Sequence, residues 1–456
     1  MQKSEGRLKM DYLLLAENIV KRALKYGADE AEAYLENRRD FELSVRNGDV
    51  ETVRQATTKG IGLRVFKENK PGFSYTSDFS EQSLEEFTKK TVQLSLVAEP
   101  EPWNGLPDFK KGKIHDLDLY DPTISEIEYE KKINIAKEVE RIALAYDKRI
   151  TKTDGGYFGD NESEIIIVNS KGISYSCKTT GFNLRVEVIA GEGSDMQRGS
   201  WGSSKRHFKD LDTIENVAKK AAKEAVEKLG AKPVSTQKVP VVFDRYALGR
   251  FWWGILGSMD GDRVYKKTTF LAEYLNKPVA SELITISDDP TIPRHISSVP
   301  FDGEGNITRK NILIDKGILK MFIYDTITAR KAGVNVNTMA VRHRYITTPW
   351  SYYINVVVEN GKVSREKIIS EIKNGFYVKG LIGRGTNSTT GNFSIGASGF
   401  WIENGEISFP VDGVTLGGNT LDMLKNIEAV ANDLDIRGSI NSPSFKIAEV
   451  TIGGKR

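Results

Sequence analysis

The sequence predicts an α+β chain of two domains, an N-terminal one of helices mixed with antiparallel strands over 11–230 and a C-terminal β-rich one over 239–456. Three observations carry this expectation. Short turn signals such as Asn47-Gly48 and Glu403-Asn404-Gly405 stand between alternating or apolar runs, and returns this short join antiparallel strands. Long segments with apolar residues at helical spacing fall mostly in the first half, and hairpin patterns dominate the second. Between them, residues 230–238 are polar and carry a proline, as a domain boundary would. A chain of 456 residues also exceeds the size at which one core stops growing.

Residues 11–26 place Leu15, Ala16, Ile19, Val20, Ala23 and Leu24 on one helical face, and Gly27 stops the helix. Strands follow at 41–45 and 61–66, with Asn47-Gly48 and Pro71-Gly72 read as turns. A helix over 83–97 ends before Pro100, because the residue preceding a proline is pushed out of helical geometry. Ile127, Ile133, Ala136, Val139, Ile142 and Ala143 predict a helix over 124–146. Strands are expected at 164–168, 173–177 and 182–188, and a helix at 212–229 opens on a capping box at Asp212-Thr213-Ile214-Glu215. In the second half, 239–243 reads as a strand and 246–259 as a glycine-interrupted helix. Hairpins are expected at 312–322, at 353–361 and at 400–405.

Composition excludes several classes. Basic residues number 65 and acidic ones 62, so the charge is interspersed and offers no field for nucleic acid. The single cysteine, Cys177, forbids an internal disulfide or a cysteine-rich zinc site and fits a reducing cytoplasm; on its alternating segment it reads as a packed side chain. The start of the chain has no apolar signal core, and no apolar run is long enough to span a membrane, so a cytoplasmic location is expected.

Few constellations suggest chemistry. His115, His207, His295 and His343 are scattered and none lies in a metal-helix pattern; His343, between Arg342 and Arg344, reads as part of a basic loop. Asp288-Asp289-Pro290 and Asp302-Gly303-Glu304-Gly305-Asn306 invite a cation, but the second lacks the glycine and the last glutamate of an EF-hand and reads as a turn. The segment from Gly383 to Gly391 lacks the Lys-Ser/Thr end of a phosphate loop, though its small residues would let an extended peptide approach. No Gly-x-Ser-x-Gly elbow supplies a serine nucleophile.

An ordered set of motifs carries a family resemblance: Pro278-Val279-Ala280-Ser281-Glu282-Leu283, Ser287-Asp288-Asp289-Pro290, Pro300-Phe301-Asp302-Gly303-Glu304-Gly305, Thr390-Gly391-Asn392-Phe393-Ser394, Gly399-Phe400-Trp401-Ile402-Glu403-Asn404-Gly405 and Asn432-Asp433-Leu434. With these the chain resembles the TldD/PmbA family, known as modulators of DNA gyrase and related to metalloproteases. TldD-type members carry an H-E-x-x-x-H helix and a cysteine near the C-terminus. Here the helix positions fall on Trp252, Trp253 and Gly257, and the cysteine position near Arg437. None of these can hold zinc, which needs His, Asp, Glu or Cys ligands and an open position for water.

The resemblance therefore implies a PmbA/TldE-like subunit without catalytic or metal residues of its own. It implies a TldD-type partner that supplies the zinc, or else a homodimer, and an unfolded peptide substrate that threads through as an added strand. Peptide or partner contacts are expected at Trp252, Asn387, Thr390 and Gly391. Two other readings stay open: a stand-alone metallopeptidase using Asp288, Asp302, Glu304 or the histidines, and a non-enzymatic modulator that binds a folded protein such as gyrase.

Overall fold

The computed structural model describes residues 11–108, 112–337 and 339–454. In chain order the first half contains α1 (Tyr12–Lys25), β1 (Glu30–Arg46), β2 (Asp49–Lys67), β3 (Lys70–Thr76), α2 (Glu81–Val97), α3 (Tyr129–Leu144), β4 (Ile150–Asn169), β5 (Ser174–Ala190), β6 (Gln197–Lys205) and α4 (Ile214–Glu227). The strands form one antiparallel sheet in the order β3-β2-β1-β4-β5-β6. Helices α1 and α2 bury Ile19 and Leu84 against Leu35, Leu63 and Ile166. Helices α3 and α4 bury Val139, Val217 and Ala221 against Leu184 and Val186. Asp11 and Thr213 cap α1 and α4 by accepting from Leu14 N and Asn216 N.

Asn47 and Gly48 turn β1 into β2 with φ of 54° and 82°, the left-handed pair a two-residue hairpin requires. Both strands extend well beyond the apolar runs expected at 41–45 and 61–66, through polar segments that alternate in neither face. The expected Pro71-Gly72 turn is not one: Glu68 and Asn69, with φ of 52° and 60°, make the return, and Pro71 and Gly72 lie within β3. Gly72 is needed there for packing, since a Cβ would stand 2.5 Å from Thr91 O on α2. The helix expected over 124–146 is divided: Pro122–Glu126 form a 3-10 turn capped by Asp121, and α3 begins at Tyr129.

In the second half β7 (Gln237–Phe243) runs parallel to Asn374–Thr386 and antiparallel to Phe445–Gly453. Asn392–Glu403 and Glu406–Asn419 continue the sheet, and Leu416 pairs with Ile452 to close it into a five-stranded barrel. Asn404 and Gly405 form the expected hairpin turn, with φ of 49° and 83°. The hairpin expected at 353–361 does not form. Val356–Val358 instead lie between Ile286–Asp288 and Ile440–Asn441, and Gly361 docks on residue 431 through its N–H. Its glycine serves that close approach, since a Cβ would meet Val430 O at 1.8 Å. Among the described residues no helix is long and apolar enough to cross a membrane. Helices combined with largely antiparallel sheets make the α+β class plain.

Candidate active-site cleft

The segment onto which the resemblance places the metal helix is α5 (Leu248–Gly257), and its two faces have separate fates. Leu248, Phe251, Trp252, Ile255 and Leu256 recur at helical spacing and are all buried. Trp252 is 0% exposed and packs edge-on against Phe251 and Phe445, and its Nε1 has no hydrogen-bond partner among the described residues. The partner contact expected at Trp252 is thereby corrected, because its ring lies inside the barrel core where no second molecule reaches it.

Trp253 occupies the other face. It is 40% exposed, and its Nε1 donates to Tyr352 Oη at 2.9 Å, which donates onward to Tyr353 Oη at 2.9 Å. Together with Gly254, Leu256 and Gly257 it lines an open cleft of about 370 Å³, whose other walls include Asp260, Arg263, Trp350, Ser351, Arg384 and Ser388. Nothing lies within 4 Å of a Cβ built on Gly257, so a side chain would fit there. Gly254 is tighter, at 3.1 Å from Thr386 Cβ.

A zinc ion does not fit these residues. The cleft's one carboxylate, Asp260, accepts from Arg263 N at 3.0 Å and from Ser351 Oγ at 3.1 Å. The guanidiniums of Arg263 and Arg384 share the same walls and would repel a dication. Positions 252 and 257 also lie about 140° apart on a regular helix, and the first of them points into the core. Arg437, at the expected cysteine position, is held elsewhere: it pairs with Asp212 at 2.9 Å, donates to Gly202 O at 3.1 Å and stacks on Trp201.

The loop after Gly383 contributes Arg384, Thr386 and Ser388 to the cleft. Asn387 and Thr390 are exposed, but Asn387 Oδ1 already accepts from Thr389 N and Thr390 N at 2.9 and 3.1 Å. Gly391 is buried against Phe270 with φ of 76°, which corrects the expectation of a contact there; it is a turn residue, and its N–H donates to Asn387 O. Arg263 Nη1 donates to Ser388 Oγ at 3.1 Å and ties this loop to the cleft. Sequence reasoning passed over Arg263 and Arg384. The available signals were Asp260, an N-cap three residues before Arg263, and an arginine among the loop glycines.

The other candidate groups serve the fold. Asp288 is buried and accepts from Ile354 N and Asn355 N; burial pushes its carboxyl up to about 6. Asp302 accepts from Glu304 N and Asn306 N, both at 2.9 Å, and burial beside Glu304 pushes it up to about 7. Glu304 accepts from Thr326 N and pairs with Arg64, which pairs in turn with Glu32; Glu32 also pairs with Arg342. This buried network joins the N-terminal sheet to the C-terminal half.

His207 bonds to Asp118 O and lies near Asp121, and His115 and His343 are exposed. His295 is buried, and burial next to Lys205 and Arg206 lowers its imidazole to about 4. Cys177 is half-buried, its thiol pushed up to about 11 by burial, as suits a packed side chain. Among the described residues no three His, Cys, Asp or Glu side chains group as a metal site would.

Residues 31–95, 122–229 and 236–454 match, in turn, domain 1, the central domain and the C-terminal domain of the PmbA/TldA metallopeptidases. The chain is 31% identical to Metalloprotease PmbA of Escherichia coli O157:H7 over 97% of its own length and 96% of that protein's. The chain belongs to the PmbA/TldD metallopeptidase family. It is also 27% identical to a TldD homologue of Buchnera aphidicola, over 97% of this chain and 96% of the homologue. Among solved structures, TldE of Thermococcus kodakarensis superposes with a TM-score of 0.86 at 26% identity, covering 96% of this chain and 99% of TldE. A modulator of DNA gyrase from Bacteroides thetaiotaomicron superposes with a TM-score of 0.89 at 28% identity, covering 97% and 98%. In this PmbA/TldD chain the outer face of α5 opens on the cleft.

Proposed function

We propose that this chain is a PmbA/TldE-type subunit that works in the cytoplasm with a TldD-type, zinc-bearing partner on unfolded peptides, and that it does not carry out the hydrolysis itself. The observation that supports this best is the helix at the metal position. Its inward residue, Trp252, is a core aromatic, and its outward residues, Trp253 and Gly257, face a cleft walled by arginines. Such a cleft can hold a peptide by stacking and by hydrogen bonds to its backbone, and its carboxylate, Asp260, is already engaged by Arg263 N and Ser351 Oγ. The chain's role is then to shape the peptide path and keep folded proteins out of it.

The test is to mix the purified chain with a TldD-type relative that carries H-E-x-x-x-H. Co-elution of the two and peptidase activity that rises with the proportion of this chain support the reading. Full activity of the TldD-type protein alone, with no association, contradicts it. A metallopeptidase built on Asp288, Asp302 or Glu304 has no support, because each of these carboxylates is buried and bonded to backbone amides or to the arginine network.

A further inference from the structure

We infer that the α5 cleft selects peptides that carry a carboxylate, held between Arg263 and Arg384 beside the aromatic wall of Trp253, Trp350 and Tyr352. The inference rests on the reading of the cleft as a peptide path and adds the class of peptide.

Its first support is charge. The cleft is lined by two guanidiniums against one carboxylate, and Asp260 already accepts from an amide of the following turn and from the Ser351 hydroxyl. Neither arginine is bonded to an acid among the described residues. Arg263 makes one side-chain bond, to a serine hydroxyl, and Arg384 has none to any described group. Many other arginines are paired with acids, from Arg64 in the core to exposed Arg141 and Arg149, and Arg206, Arg245, Arg250 and Arg309, which are not, bond to backbone carbonyls.

The second support is geometry. Arg384 stands between Gly383 and Gly385, which have φ of 113° and 74°, where the ladder to the next barrel strand is broken by a bulge. A bulge re-aims a side chain, and here the re-aimed residue is one that lines the cleft. Arg263 is fixed from the other side by the Asp260 cap at the start of its helical turn. Trp253 and Trp350 are 40% and 39% exposed, enough aromatic surface to stack on a peptide plane next to the charge. Guanidiniums grip a carboxylate by paired N–H donors, and such charge-assisted bonds are about twice as strong as neutral ones.

The carboxylate has two sources, an acidic side chain or the C-terminus of the peptide, and the test separates them. The full chain would be titrated with extended hexapeptides of otherwise neutral sequence in four forms: a central glutamate or its glutamine counterpart, each with a free or an amidated C-terminus. Tryptophan fluorescence and calorimetry would report binding.

One carboxylate form should bind about five- to tenfold tighter than its neutral counterpart, the order expected of one charge-assisted contact in a half-exposed site. Preference for glutamate with an amidated end assigns a side chain; preference for a free end assigns the C-terminus. Arg384→Gln and Arg263→Gln should each bring the ratio close to one. Arg384 is exposed and bonded to no described group, so that variant will fold. Equal affinity for all four peptides, or a preference that survives both substitutions, overturns the carboxylate inference and leaves the peptide path standing. No binding of any peptide overturns both.

Discussion

At the junction of the two halves, Glu32, Arg64, Glu304 and Arg342 are buried and bonded to one another, whereas in the α5 cleft Arg263 and Arg384 are exposed and bonded to no acid among the described residues. In sequence the contrast runs the other way. Asp302-Gly303-Glu304-Gly305-Asn306 invites a cation before it reads as a turn, and the cleft arginines attract no notice. Burial and partners decide between these readings. A buried carboxylate already matched by a guanidinium and backbone amides has no lone pairs left for a metal, so the acidic cluster is a clamp. Arginines held at the wall of an open cleft keep their donors for another molecule.

This contrast predicts a ladder of effects. Removing Arg64 from the clamp (Arg64→Ala) should cost about 3–5 kcal/mol in urea unfolding, because it strands Glu304 and half of Glu32 in the interior. A loss below about 1 kcal/mol would mean that the network is open to water. The same division runs through α5. Trp252→Ala, which empties a core position, should cost about 3–5 kcal/mol, and Trp253→Ala only about 1 kcal/mol through the lost bond to Tyr352. Equal losses would show that the two faces are not distinct.

A pH titration sharpens the junction further. His295 is lowered to about 4 in the folded chain by burial and by Lys205 and Arg206, from an ordinary value of 6.5. Its folded value is depressed, so the stability it contributes is fully present above about pH 6.5 and is lost as pH falls toward 4. His295→Gln should therefore flatten the unfolding free energy between pH 6.5 and 4 relative to the parent chain; an unchanged slope would show that the imidazole is already solvated. The smallest effect belongs to the cleft. Arg384→Gln should leave stability within about 0.5 kcal/mol, and a larger loss would reveal a structural partner for this side chain.

Local patterns made much of the fold legible. Helices α1, α2, α4 and α5 lie within two residues of the segments their apolar spacing predicts, and the turns at Asn47-Gly48 and Asn404-Gly405 follow from residues that tolerate positive φ. Long-range contacts set the rest. The polar stretches of β1 and β2 are strands because each is hydrogen-bonded along its length to a neighbour, with no help from alternation. Gly72 and Gly361 look like turn residues but permit close packing, and closure of the barrel through Leu416 and Ile452 joins segments with no shared motif. At the site, the sequence alone places Trp252, Trp253 and Gly257 on one helix. Which of two adjacent tryptophans faces the cleft was settled by the phase of α5 against the barrel, and the presence of both Arg263 and Arg384 in its lining by loop geometry.

The central claim, that this chain is the non-hydrolytic member of a two-part peptidase, is tested most directly by elemental analysis and peptidase assay of the dialysed protein alone. The account predicts well under one zinc per chain and no cleavage of unstructured peptides. Zinc near one per chain, with cleavage that a chelator abolishes, would contradict it.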